Sequence, residues 1–135
     1  MTVILPCITM YLDNLHCKVG ERMIPSQMLK GILQGSNLAI IGQKETYGYE
    51  ISQALSQYGF GTISEGTIYP LLLRLEKGGL IVARFIDTGS GPKRKYYTLT
   101  ETGREELRQF RDSYREMTAA VDNLPGFSKE ESHEA

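Results

Sequence analysis

With 135 residues, 41% of them hydrophobic and 23% charged, the chain has the size and composition of about one globular domain. A net charge of −1 argues against nucleic-acid binding by bulk charge, and no apolar run reaches the ~20 residues of a membrane span. Cys7 and Cys17 supply neither a disulfide framework nor, with His16, a metal-ligand spacing, so the expectation is a cytoplasmic protein with no metal and no cofactor.

Residues 1–24 differ from the rest of the chain. Met1–Arg22 shows no clear period, and its apolar opening lacks the basic start of a signal peptide. Gly20-Glu21-Arg22 directly before Met23 reads as the in-frame translation of a purine-rich ribosome-binding sequence, so one expectation is a true start at Met23. The other is an arm packed on a partner subunit, with Ile4, Leu5, Ile8, Tyr11 and Leu12 along one helical face.

From Pro25 the pattern becomes regular. Ser26 caps a first predicted helix whose apolar positions are Met28, Leu29, Ile32, Leu33, Leu38, Ile40 and Ile41. Gly31 and Gly35 weaken it in isolation and admit a close neighbour. After a turn over Gly42–Thr46, Thr46 caps a second helix with Tyr47, Ile51, Leu55 and Tyr58 near one face, ended by Gly59 and Gly61. Thr62 and Ile63 are a candidate one-bridge strand. The third helix begins at Ser64 or at Thr67. The first choice puts Pro70 past the first turn, where it costs an internal hydrogen bond. The second makes Pro70 the third helical residue, whose N–H has no partner anyway. Leu71, Leu72 and Leu75 then pack inward, Arg74 and Lys77 stay in water, and Gly78-Gly79 stops the helix.

Leu80–Ile86 is β-branched and reads as a strand, Asp87–Pro92 as a turn-rich tip, and Lys95–Leu99 as the return strand, with Tyr96 and Tyr97 on opposite faces. Thr100 caps a long last helix, with Glu101 near its positive end. Leu107, Phe110, Tyr114, Met117, Val121 and Leu124 recur at alternating spacings of three and four, a seam for packing helix on helix. Little domain remains after the hairpin for that seam to pack on, which points to dimerisation. Pro125-Gly126 ends the helix and leaves a polar tail.

A helix followed by a basic-tipped hairpin is the outline of a winged helix-turn-helix, a shape that lays its helix in the major groove of DNA and its wing on the backbone. The fold class expected is therefore α+β, mostly α. A winged helix-turn-helix over 25–99 precedes a dimerisation helix over 100–124 and a tail over 125–135. Charge is distributed to match. Ser64–Lys95 carries Arg74, Lys77, Arg84, Lys93, Arg94 and Lys95 against three acids, whereas from Glu101 onward acids outnumber bases nine to five.

Four stretches, in this order and spacing, resemble the PadR family of bacterial transcriptional regulators. They are Tyr47-Gly48-Tyr49-Glu50-Ile51, Ser64-Glu65-Gly66-Thr67-Ile68-Tyr69-Pro70-Leu71-Leu72, Arg74-Leu75-Glu76-Lys77-Gly78-Gly79-Leu80, and Arg94-Lys95-Tyr96-Tyr97 followed by Leu99-Thr100-Glu101-Thr102-Gly103. With one helix after the wing, the chain is similar to the short subgroup. The resemblance implies a homodimeric repressor. Some short members bind flat, apolar drugs between the last helices, where an aromatic residue stacks on the ligand. Tyr114 falls at that place, although the chain has no Trp.

The physical chemistry of the residues assigns parts to them. Ser64, Glu65, Thr67 and Tyr69 stand near the start of the reading helix, where side chains reach base edges. Glu65 can accept from cytosine N4 and Thr67 can meet a thymine methyl, while an acid at a helix start also serves to offset the dipole. Tyr47 and Tyr49 can donate to phosphate. Lys93, Arg94 and Lys95, with Arg74 and Lys77, are candidate phosphate contacts. The implied partners are a double-stranded DNA operator, a second copy of the chain and a small apolar or phenolic effector near Phe110, Tyr114 and Met117. No membrane partner and no enzymatic activity are expected: His16 and His133 lie in the end segments, and the glycine-rich tip precedes no helix that could hold an anion. The competing reading is a winged helix that contacts only proteins.

Overall fold

The computed structural model describes residues 24–127; the expectations for the segment 1–22 and for the tail beyond residue 127 lie outside the described residues. Two short elements open the domain, α1 (Ser26–Leu29) and α2 (Leu33–Ile41). The apolar spacing predicts a single helix here. There are two because the chain turns over Lys30–Ile32 around Gly31, where the Ile32 N–H bonds back to the Leu29 carbonyl at 3.0 Å. The N-cap of α1 is Pro25, not Ser26; the Pro25 carbonyl takes the Met28 and Leu29 N–H groups at 2.9 and 3.0 Å. Nearly every residue of α2 is buried, so this helix is the centre of the domain, packed against α3 and the last helix.

Strand β1 (Thr46–Tyr47) leads directly into α3 (Gly48–Leu55), and a π-helical turn (Ser56–Phe60) ends that helix through Gly59 and Gly61, whose φ of 105° and 79° suit glycine. Thr46 is not the helix cap that the sequence suggests. It is the buried first residue of β1, and its hydroxyl donates to the Glu50 carboxylate at 3.0 Å. The expected strand at Thr62-Ile63 is absent. Ile63 is buried in a loop, and its carbonyl accepts from the Ser52 hydroxyl at 3.1 Å.

Helix α4 (Glu65–Lys77) starts after Ser64 and so takes the first of the two starts, with Pro70 inside it. Gly66 and Pro70 are both exposed, so the carbonyl that Pro70 cannot pair is open to water. Ile68, Leu71, Leu72 and Leu75 repeat at helical spacing and are buried. The hairpin is β2 (Ile81–Ile86) and β3 (Arg94–Leu99). The sheet is antiparallel in the order β1-β3-β2; Thr46 and Tyr47 face Tyr97 and Tyr96, while Ile81 faces Leu99 and Ile86 faces Arg94. Helix α5 (Glu101–Asp122) comes next, with Thr100 Oγ1 accepting the Gly103 N–H at 3.0 Å. Leu124 falls in the turn beyond α5, because the helix closes at Asn123 before it reaches Pro125. The chain is thus a mostly helical winged helix-turn-helix with a long C-terminal helix. Among the described residues no helix is long and apolar enough to cross a membrane.

Candidate nucleic-acid interface

Burial of the apolar face of α4 leaves its other side in water. Ser64, Glu65 and Thr67 lie exposed at its start, and Arg74 and Lys77 lie exposed in its last turn. The Ser64 and Thr67 hydroxyls are 3.1 Å apart. Tyr69 is half exposed, and its ring rests on Gly48, where even a Cβ would come within 2.5 Å of it. A glycine at the first residue of α3 therefore lets α4 approach closely.

The hairpin projects beside this helix. Between them runs a cleft of about 550 Å³ lined by Tyr47, Tyr49, Tyr69, Lys93, Arg94 and Lys95 together with the wing tip. Six of the candidate residues converge there, from three stretches distant in sequence: Tyr47 and Tyr49, Tyr69, and Lys93 to Lys95. Arg94 lies with its guanidinium 4.3 Å from the centroid of the Tyr47 ring, and that ring meets Tyr96 at 5.1 Å. Of the two tyrosines, Tyr49 is the more exposed and Tyr47 the more enclosed.

Two basic side chains are held in ion pairs within the domain, Lys95 one third exposed and Arg84 at the surface. Lys95 donates to Glu76 at 2.9 Å, and this bond, the largest cause, holds its ammonium protonated above the ordinary lysine range. Arg84 makes a two-pronged pair with Glu45, which lowers the Glu45 carboxyl below its usual range. Neither acid stood out in the sequence, because each partner is 19 or 39 residues away. Leu73, half exposed on α4, lines a smaller pocket of about 310 Å³ that shares Tyr47, Tyr69, Arg94 and Lys95 with the cleft, and it gave no sequence signal.

The seam of α5 divides in two. Leu107 is buried in its own domain, and Phe110 lies on Gly35, whose added Cβ would come within 2.1 Å of the ring. Beyond them Tyr114, Met117 and Val121 are exposed on the helix, and Leu124 is exposed after it. Of the three candidate effector residues, Phe110 and Tyr114 have ring centroids 6.2 Å apart. Phe110 alone of the three walls an apolar cavity of about 400 Å³ with Ile40, Leu55, Tyr58 and Phe60.

The family model of PadR-like transcriptional regulators matches residues 38–109. A PadR-like transcriptional regulator of Bacillus cereus strain ATCC 14579 is 49% identical, with a TM-score of 0.67 over 74% of this chain and 97% of that one. The transcriptional regulator Rv3488 of Mycobacterium tuberculosis is 38% identical over 79 residues, covering 57% of this chain and 70% of that protein. Bacillus subtilis PadR, solved in complex with operator DNA, is 30% identical with a TM-score of 0.54, over 58% of this chain and 46% of that one.

Proposed function

Because the chain belongs to the PadR-like family of transcriptional regulators, we propose that it is a homodimeric repressor of a near-palindromic operator in double-stranded DNA. The observation that carries this reading is the cleft between α4 and the wing, where tyrosines of β1, α3 and α4 meet three cations of the wing beside the exposed face of α4. In this reading the first turn of α4 enters the major groove, where Glu65 and Thr67 meet base edges and Ser64 and Tyr69 flank them. Tyr49, Lys93 and Arg94 hold the adjacent phosphates, with Arg74 and Lys77 at the far end of the helix. Bacillus subtilis PadR, a structural relative, has been seen on operator DNA. The exposed stripe of Tyr114, Met117, Val121 and Leu124 is the surface on which a second copy pairs, setting two reading helices about 34–36 Å or a multiple apart. A small apolar or phenolic effector near Phe110, Tyr114 and Met117 releases DNA by preferring a dimer shape with those helices misplaced.

The test is a mobility-shift salt series on a duplex spanning the sequence upstream of the chain's own coding sequence. Arg94→Ala is expected to weaken binding evenly across sequences and to flatten the salt dependence by about one unit of slope. Thr67→Ala is expected to change base preference instead. Binding without salt dependence, or no binding at all, would favour a module that contacts only proteins.

A further inference from the structure

We propose that Glu76 and Lys95 form a brace that sets the angle of the wing against α4, so that Lys95 is a positioning residue and not a phosphate ligand. The inference rests on the DNA-binding reading above. On its outer edge, β3 is paired by β1 only at Tyr97 and Tyr96. Lys95 is the next residue toward the tip, the first that β1 no longer supports. There its Nζ meets Glu76 Oε1 from the last turn of α4 at 2.9 Å. Both side chains are about one third exposed, at 34% and 33%, and the ammonium also faces the rings of Tyr97 and Phe85 at 5.5 and 5.9 Å from their centroids. A cation held in this way is tied to α4. Beyond it the hairpin runs on through Arg94, paired with Ile86, to Lys93 near the tip, which has no ion-pair partner among the described residues. The brace thus begins where the support of β1 stops, and it fixes where Lys93 and Arg94 are carried.

Coulomb's law and the brace predict opposite signs for one substitution. Glu76→Gln removes a negative charge beside the proposed DNA path and leaves Lys95 only a weaker, neutral acceptor, so electrostatics alone tightens binding. The brace predicts weaker binding: about five-fold on the upstream duplex and on a random-sequence duplex alike, because what is lost is a phosphate contact. The salt slope is expected to fall by about one although no cation has been removed, because Lys93 no longer reaches its phosphate. Lys93→Ala, which flattens the slope in the wild type, is then expected to add nothing in the Glu76→Gln background. Glu76→Lys combined with Lys95→Glu restores the pair with its charges exchanged and is expected to recover most of the affinity that Glu76→Lys alone loses. Thermal unfolding of each variant verifies its fold. If Glu76→Gln binds as tightly as wild type or tighter, or the exchange is no better than the single substitution, the brace is overturned while the DNA reading stands. A wild type with no salt-dependent binding overturns the DNA reading first, and with it the brace's purpose.

Discussion

A Cβ at Gly103 would lie 2.0 Å from the Leu80 carbonyl oxygen, an atom that also accepts the Thr100 N–H at 3.1 Å. That oxygen is backbone, fixed between the hairpin and the start of α5, and has no way to swing aside. Gly103→Ala is therefore expected to cost about 3 kcal/mol, read from urea unfolding. Gly48 presents the same arithmetic with a different neighbour. Its added Cβ would lie 2.5 Å from Tyr69 Cε1, but that ring is 46% exposed and can rotate into water. Gly48→Ala is expected to cost only about 1 kcal/mol in stability. Its larger effect falls on DNA, since the displaced tyrosine stands in the proposed reading cleft; a binding selection on randomised duplexes would reveal the altered preference. Equal stability losses for the two glycines would mean that the carbonyl of Leu80 moves as readily as a ring.

At the scale of elements, α5 is one helix with a buried part and an exposed one. Leu107 is 7% exposed and belongs to the core, whereas Met117 is 49% exposed ten residues further on. Leu107→Ala is expected to lose about 3 kcal/mol of stability at any protein concentration. Met117→Glu is expected to leave the fold intact and weaken self-association at least about ten-fold, a loss of about 1.4 kcal/mol, measured by sedimentation. The continuous heptad pattern hid this division, because packing on the chain's own α2 and the proposed pairing with a second copy ask for the same apolar spacing. What was legible elsewhere rested on local chemistry: the stripe of Leu71, Leu72 and Leu75, the glycine and proline tip of the hairpin, and the Thr100 cap. What was not legible depended on distant partners. Thr46 looks like a helix cap until β3 arrives to pair with it. Ile63 looks like a strand residue, but burial alone satisfies it. In the candidate site the cations and tyrosines were visible as residue types. Which of the cations is already paired was not, because Glu76 takes Lys95 from across the fold.

Across the whole molecule, β3 is the central strand of the sheet, and it carries two groups that hold their protons more tightly than the unfolded chain does. Lys95 is raised chiefly by its bond to Glu76, against a smaller opposing effect of burial; Tyr97 is raised chiefly by burial. For both, the folded state binds the proton better, so the stability they confer is complete below about pH 10 and is lost as pH rises through the raised values. The Lys95–Glu76 pair is one third exposed, and solvent screening limits its share to at most about 1 kcal/mol. On the acid side the signs reverse. Glu45 and Glu105 are lowered by Arg84 and Arg108, and their contribution is present above about pH 4.3 and lost as pH falls. Those pairs lie at the surface, so the alkaline side is where the sheet itself is tested. The expected result is a Tm that falls more steeply above about pH 10 in the wild type than in Lys95→Met, whose side chain has no proton to lose. Parallel curves for the two proteins would show that the β3 ammonium adds nothing to the sheet.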